Sequence, residues 1–190
     1  MLLTGAEQAI LDHLVAGPGP GTWVSPRSPG GWVASTRHGG GGDADPATVQ
    51  FRKSRTFPGC QLHEVGFVTR DGHPQGMLIR TWQEPGGAWV AAPIGGGGGG
   101  GPHRSKPWVN FAAQWNAHLL AAGGHVTGQG AEAAHLVRLT FADGTAIDDV
   151  VENGVVLFFT TPGVAFPARV EILSAAGDVL ADYDEFDDLE

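Results

Sequence analysis

Residues 134–161 read AHLVRLTFADGTAIDDVVENGVVLFFTT, and this stretch determines the fold expected for the second half of the chain. Apolar residues alternate with polar ones up to Phe141, which is the period of a strand with one buried face. The dipeptides Asp143-Gly144 and Asn153-Gly154 favour tight hairpin turns, because their residues tolerate positive φ. The apolar run at 155–159 is rich in the β-branched and aromatic residues that strands prefer. The stretch therefore predicts a three-stranded antiparallel meander with Phe141 in the core.

Short strand patterns continue on both sides of this stretch, with turn signals about every ten residues. Together they predict about six or seven strands over residues 107–183, which is typical of a β-sandwich. We expect an immunoglobulin-like sandwich there. Cys60 is the only cysteine of the chain, so the inter-sheet disulfide of antibody domains is excluded and the expectation concerns the architecture.

The N-terminal part of the sequence predicts a short helix and a separate sheet. Thr4 and Glu7 have the spacing of a capping box, and apolar residues recur at helical spacing until Gly17-Pro18. Strand patterns between residues 47 and 92 then predict a curled antiparallel sheet with the helix on one face. The expected fold class is therefore mainly β and antiparallel, with a small α+β part at 1–94 followed by the immunoglobulin-like β-sandwich.

A strand, a glycine turn and the strand that begins Trp89-Val90-Ala91 give the first part a resemblance to cystatin-like and nuclear transport factor 2-like α+β domains. The resemblance implies a concave sheet face that holds a small ligand or supports hydrolysis. On this interpretation His63 would carry the chemistry, and Arg80 and Trp82 would line the face with it.

Seven consecutive glycines, residues 95–101, stand between the two parts. Ordered glycines lose much backbone entropy, so we predict a mobile linker over residues 95–106. A glycine-rich loop can also cradle phosphate, and Arg104 and Lys106 follow closely. The residue order of a P-loop is absent, however, because Ser105 precedes Lys106. Close packing of backbone against backbone between two sheets is the third interpretation.

Charge is distributed unevenly along the chain. Residues 1–106 carry nine basic and seven acidic side chains, a net charge of +2, whereas residues 107–190 carry two and thirteen, a net charge of −11. An acidic surface repels phosphate, so we expect no nucleic acid and instead a partner protein with a basic surface. The alternative is that the charge serves solubility alone.

Residues 184–190 concentrate this negative charge. Asp184 and Glu185 precede Phe186, and Leu189 lies between further acidic residues. Acidic tails are usually disordered, but acidic side chains interleaved with bulky apolar ones can also dock in a basic, apolar groove. We predict that these four residues contact the partner.

The sequence patterns of catalytic and metal sites are missing or incomplete. Cys60 and His63 are close enough in sequence for a thiol–imidazole pair, but a buried inert cysteine is the commoner case. Asp148, Asp149 and Glu152 offer carboxylates for calcium without the residue order of an EF-hand loop. The histidines lack the spacing of zinc sites. We expect no catalytic residue, no metal and no cofactor.

No apolar run approaches the roughly 20 residues of a membrane helix, and the first residues lack the basic region of a signal peptide. We therefore expect a cytoplasmic protein without membrane contact. Nine arginines against two lysines, with 31 glycines, indicate a GC-rich bacterial genome. The expected function is a non-enzymatic protein-interaction or assembly module. The alternative is the small-ligand-binding or hydrolytic domain that uses His63.

Overall fold

The computed structural model describes residues 3–16, 44–97, 105–116, 119–160 and 167–183. These residues form mainly antiparallel strands with one short α-helix near the N-terminus, which confirms the predicted fold class. Within them, no helix is long and apolar enough to span a membrane. The chain divides into two compact units, Met1–Gly99 and Gly100–Glu190, so the division falls inside the glycine run.

The first unit begins with helix α1 (Gly5–Ala16), which has the predicted capping box. Glu7 Oε2 accepts a hydrogen bond from the Thr4 backbone N–H at 2.8 Å, and Thr4 Oγ1 accepts one from the Glu7 N–H at 3.3 Å. The two side chains thus satisfy backbone donors that the first helical turn leaves without an intrahelical partner. Ile10 and Leu14 are fully buried and form the apolar face of α1.

Four strands follow α1 and form an antiparallel meander in which each strand pairs with the next. They are β1 (Gln50–Phe57), β2 (Cys60–Val68), β3 (Pro74–Gln83) and β4 (Trp89–Gly97). Helix α1 packs against β3 and β4 on one face of this sheet. The core on that face consists of Ile10, Leu14, Ala44, Val65, Phe67, Met77 and Ile79.

Strand β4 extends into the glycine run, so the first three glycines are strand and not linker. Residues 95–97 pair with β3, and Gly97 lies opposite Gly76. A Cβ added at Gly96 would collide with the carbonyl oxygen of Gly76 and lie 3.0 Å from the Cα of Met77. Close backbone packing therefore occurs at Gly96, between neighbouring strands of one sheet, and it requires glycine there. Residues 98–104 lie outside the described residues.

Replacing Gly96 with alanine is expected to lower the free energy of unfolding of the first unit by about 1–3 kcal/mol, because the added methyl group must displace β3 backbone. Gly86→Ala is the matched control, since a Cβ at Gly86 meets no atom within 4 Å. Denaturant unfolding measures both changes. Equal stability of the two variants would contradict the strand pairing of Gly96.

The second unit is a β-sandwich of seven strands among the residues described. One sheet has the order β5-β6-β9 and the other the order β11-β10-β7-β8. The strands are β5 (Trp108–Asn116), β6 (Leu119–Thr127), β7 (Leu136–Phe141), β8 (Ala146–Val150), β9 (Val155–Thr160), β10 (Pro167–Leu173) and β11 (Val179–Tyr183). The facing sides of the two sheets share one core, made of Val109, Leu120, Ala122, Val126, Val137, Leu139, Phe141, Val156, Phe158, Val170, Ile172 and Ala181.

The predicted burial of Phe141 is confirmed, since its exposed fraction is 2 %. The predicted meander is wrong in its third strand. Strand β7 pairs with β8 as expected, but β9 crosses to the other sheet and pairs with β6. The turn between them is tight, with φ of 52° at Asn153 and 74° at Gly154. The reason for the crossing is burial: residues 155–158 are all buried, and so are residues 120–124 of β6, whereas β8 presents one face to solvent.

Candidate functional site

His63 lies on β2 with its ring held between two hydroxyl groups. Its exposed fraction is 2 %. Nδ1 shares a hydrogen bond with Ser54 Oγ of β1 at 2.8 Å, and Nε2 shares one with Thr81 Oγ1 of β3 at 3.1 Å. Ser54 lies directly opposite His63 and Thr81 is a diagonal neighbour, so the strand register sets both contacts. Both ring nitrogens are therefore satisfied inside the sheet.

Burial also determines the electrostatics of His63. Removal from water disfavours the charged imidazolium and lowers the pKa of His63 to about 4, while the Glu7 carboxylate opposes this shift. The ring is therefore neutral at pH 7. A general base works best when its pKa lies near the operating pH, so this histidine is poorly suited to that role.

The structure does not bring Arg80 and Trp82 to His63. Directly opposite residues of antiparallel strands share a face, and successive residues alternate between faces. His63 lies opposite Ile79 and so faces α1, whereas Arg80 lies opposite Leu62 and faces away from α1. Trp82 shares the face of Arg80. The guanidinium carbon of Arg80 lies 4.9 Å from the centre of the Trp82 ring system, which is a cation–π contact.

A second arginine–aromatic pair repeats this arrangement two strands away. Arg55 of β1 lies opposite Leu62, which in turn lies opposite Arg80. The guanidinium carbon of Arg55 is 5.3 Å from the centre of the Phe57 ring. Each arginine precedes its aromatic partner by two residues, and β1 and β3 run in the same direction because both are antiparallel to β2. We call Arg55, Phe57, Arg80 and Trp82 the arginine–aromatic patch.

Further charged side chains of the same sheet lie on the face of the patch. A register shift between Phe51 and Lys53 leaves Arg52 as the extra residue of a β-bulge. Lys53 lies opposite Glu64, and Arg52 Nη1 contacts Glu64 Oε1 at 3.2 Å. Strands β1 to β4 contain four basic residues and one acidic residue in all, and all five project to this side. This face therefore carries more basic than acidic side chains, and Lys53 and Glu64 on it are buried.

Cys60 and His63 lie on opposite faces of β2 because they are three residues apart. Burial raises the pKa of the Cys60 thiol, and the charge of nearby Arg80 opposes that change. A nucleophilic cysteine requires a lowered pKa. The geometry therefore does not make a thiol–imidazole pair of these two residues.

The carboxylates considered for calcium also point apart. Asp148 accepts hydrogen bonds from Nε and Nη2 of Arg138, both at 2.8 Å. Asp149 is buried and accepts a hydrogen bond of 2.6 Å from the Leu157 backbone N–H. Its carboxylate thus satisfies a backbone donor of β9, which is an edge strand of its sheet. In the part of the chain that the structure describes, no group of three or more histidine, cysteine or acidic residues could hold a metal ion.

A row of apolar side chains crosses the outer face of the four-stranded sheet. Leu136 of β7 lies opposite Val150 on one side and Leu173 on the other, and Leu173 lies opposite Val179. The residues that alternate with them fill the core, so all four point outward. Val150 is 41 % exposed and Val179 is 52 % exposed. We call these four residues the apolar row. It spans three strand spacings, or about 14 Å.

A row of charged residues lies beside the apolar row on the same face. Arg138 holds Asp148 through the two hydrogen bonds described above. Arg169 Nη2 lies 3.4 Å from Glu171 and 2.9 Å from Asp182. These ion pairs are largely solvent-exposed, so each contributes little to stability. Their carboxylates outnumber their guanidinium groups by three to two.

No family model, curated protein or solved structure matches this chain. The predicted partner-binding residues Asp184, Glu185, Phe186 and Leu189 lie outside the described residues.

Sequence reasoning missed the apolar row and the Arg55–Phe57 half of the arginine–aromatic patch, for different reasons. The apolar row joins residues from four strands, and only the strand register brings them into line. The arginine–aromatic patch did have a signal in the sequence, because Arg55-Thr56-Phe57 and Arg80-Thr81-Trp82 repeat the same order of residue types. Recognising it would have required knowing that β1 and β3 align through β2.

Proposed function

We propose that the chain is a non-enzymatic protein-interaction module whose second unit binds a partner protein with a basic surface. The apolar row carries this proposal, because it places four aliphatic side chains in line on a solvent-facing sheet. Val150 and Val179, at its ends, are two of the three large apolar side chains that are exposed in the described part of the chain. Covering each of them would contribute roughly 1 kcal/mol to binding.

The charges around the apolar row favour a basic partner. Glu152 and Asp178 are exposed in the turns that follow β8 and precede β11, the strands of Val150 and Val179. The charged row on the other side adds an excess of carboxylates. Lysine and arginine side chains on a partner would complement these carboxylates and speed association. A second copy of the same face would set carboxylate against carboxylate, which disfavours a symmetric dimer.

The strand order supports an immunoglobulin-like interpretation of the sandwich. Counted from β5, the sheets have the orders 1-2-5 and 7-6-3-4. The constant-type immunoglobulin sandwich has the same order except that its fourth strand belongs to the first sheet. Several cell-surface domains share this architecture, which is an analogy at the level of the fold and not of the site.

The acidic tail at 184–190 is proposed as a second contact with the same partner. It begins directly after Tyr183, whose hydroxyl accepts a hydrogen bond from the Val109 N–H at 3.0 Å and whose ring stacks on Trp108 at 4.3 Å. Removing the residues after Tyr183 therefore leaves the last strand anchored. Phe186 and Leu189 would add apolar contacts, and the acidic residues would add to the attraction of a basic surface.

A random peptide library displayed on phage and selected against the immobilised full chain tests the proposal. We expect the enriched peptides to combine lysine or arginine with bulky apolar residues. The double variant Val150→Ser/Val179→Ser should weaken binding of the best peptide at least about tenfold, which corresponds to about 1.4 kcal/mol. Added salt should slow association, because screening shortens to about 8 Å at physiological ionic strength.

The control changes exposed positions of the same sheet outside the apolar row, Ala146→Ser and Ala168→Ser, which should leave affinity unchanged. Peptides enriched without basic residues would contradict the predicted partner. Unchanged affinity for the valine double variant would exclude the apolar row as the binding surface.

The alternative function, a small-ligand or hydrolytic domain, is favoured by one observation. Ser54 is exposed and its hydroxyl is hydrogen-bonded to His63, as in a nucleophile–base pair. The lowered pKa of His63 and the position of Arg80 and Trp82 on the opposite face weigh against it. We therefore rank this function second.

A further inference from the structure

We propose that the outer edge of strand β4 is a dimerisation surface, on which a second copy of this chain pairs and continues the sheet of the first unit. The surface contains no residue of the apolar row and lies in the other unit. The proposal therefore goes beyond the proposed function, and either one can fail alone.

Strand β4 is an edge strand, because no strand of the described chain pairs with its outer side. The backbone groups of successive residues point alternately to the two sides of a strand. The carbonyl of Ala88 points towards β3, since it accepts a hydrogen bond from the Glu84 N–H at 2.9 Å. Counted from Ala88, the N–H groups of Trp89 and Ala91 point away from β3. Residues 89–95 are all half-buried, whereas most of the central strand β2 is fully buried.

An antiparallel pairing of two copies about Ala91 provides acceptors for these outward donors. Ala91 would lie opposite Ala91 of the second copy, and the two residues would exchange two hydrogen bonds. Each Trp89 N–H would donate to the Pro93 carbonyl of the other copy, which gives two more. Pro93 has no N–H, so the Trp89 carbonyl is the one outward group between residues 89 and 93 that lacks a donor.

The side chains along this edge complement each other in the same register. Strand β4 has no charged residue, so pairing sets no like charges opposite each other. Trp89 would lie opposite Pro93 on the face of α1, where the Trp89 ring already lies against Gly5. Val90 would lie opposite Ala92 on the other face. Two-fold symmetry repeats each of these apolar contacts, as in an isologous dimer.

Other strand edges of the chain are protected against such pairing, and this contrast supports the choice of β4. The β1 edge carries three basic residues, which disfavour a second copy. In the second unit, side chains of the opposite sheet bond the outward N–H groups of two edge strands. The Tyr183 hydroxyl accepts from Val109 of β5, and the Asp149 carboxylate accepts from Leu157 of β9.

The pairing is short, so the dimer should be weak. A β-bulge at Ile94 shifts the register of β4 and limits the regular edge to residues 89–93. Small interfaces are typical of transient complexes, and we expect a dissociation constant on the order of 100 μM. Long-range charge does not oppose the contact, because residues 1–99 carry seven basic and seven acidic side chains.

Sedimentation velocity of the full chain, at concentrations from about 5 to about 500 μM, tests for this dimer. Ala91→Pro should weaken association at least about tenfold, because it removes both central donors while residue 91 donates no bond to β3. Ala175→Pro is the matched control and should leave association unchanged. It places proline at the second position of the exposed turn that the Gly177 N–H closes on the Ser174 carbonyl, where proline is favoured. Thermal unfolding checks that both variants are folded.

Cysteine cross-linking tests the register of the pairing. In the proposed dimer Val90 and Ala92 of the two copies form a non-hydrogen-bonded pair, with Cα atoms about 4.5 Å apart, which is close enough for a disulfide. Val90→Cys and Ala92→Cys are each made with Cys60→Ala, so that each chain has one thiol. On oxidation, a mixture of the two variants should cross-link more than either variant alone.

A chain that stays monomeric at the highest concentration and gives no cross-linked mixture would overturn the proposal. A dimer that Ala91→Pro leaves as tight as the wild type would overturn it as well, because another surface would then hold the two copies. So would a mixture of cysteine variants that cross-links no better than its components.

Two further results would assign the surfaces differently and overturn the proposal. The first is loss of the dimer in the Val150→Ser/Val179→Ser variant, which should dimerise like the wild type. The second is a monomeric chain in which a peptide of alternating valine and threonine protects the Trp89 and Ala91 amides from exchange. The edge of β4 would then bind a strand of a different protein.

Discussion

Replacing Phe141 with alanine is expected to lower the free energy of unfolding of the sandwich by about 3–5 kcal/mol. The side chain is 2 % exposed and belongs to the core that both sheets share. Removing its ring leaves a cavity that facing strands can only partly fill, so the loss exceeds the transfer energy of the missing atoms. Denaturant unfolding, followed through the exchange protection of amides in β7 and β10, measures the change for this unit alone.

Thr140→Ala is the matched control, because residue 140 precedes Phe141 and points to the outer face. We expect that substitution to change stability by less than about 1 kcal/mol, as is usual for surface positions. A large loss at Thr140 together with a small loss at Phe141 would mean that the register of β7 is shifted by one residue.

Acidification from pH 6.5 to pH 4 is expected to destabilise the first unit by about 3 kcal/mol through His63 alone. Burial lowers the folded-state pKa of His63 from 6.5 to about 4. Between these values the unfolded chain takes up a proton that the folded unit does not. The contribution of neutral His63 to stability is therefore fully present above pH 6.5 and is lost as pH falls. Below pH 4 this group changes the stability no further.

His63→Gln isolates this contribution, because glutamine can bond the Ser54 or Thr81 hydroxyl without titrating. The difference in unfolding free energy between wild type and variant should shrink by the expected amount across this range. Burial also lowers the pKa of His13 in α1, so His13→Gln should remove a further part of the pH dependence in the same direction. Parallel pH profiles for wild type and His63→Gln would show that the imidazole is not buried in its neutral form.

The fold class could be predicted because sequence patterns over a few residues determine it. The capping box of Thr4 and Glu7, the alternation up to Phe141 and the glycine turns all specify structure over a few residues. The crossing of β9 could not be predicted in the same way. An Asn-Gly turn favours a hairpin, and only the need of residues 155–158 for burial on both faces moves β9 to the other sheet.

The candidate surfaces depend on register, which single-sequence reasoning does not supply. The residue types of His63, Arg80 and Trp82 suit a ligand, yet one position in the pairing of β2 with β3 decides which face each takes. Leu136 and Val179 are 43 positions apart in the numbering, and two strand pairings bring them into one row. Charge asymmetry was visible in the sequence because it needs no pairing.

The most direct test of the interaction function is an amide hydrogen-exchange footprint of the full chain with and without the best selected basic–apolar peptide. We expect added protection around the apolar row, at Leu136, Val150, Leu173 and Val179, and in the adjoining turns of Glu152 and Asp178. Protection confined to the strands of the first unit, with unchanged exchange at the apolar row, would contradict it.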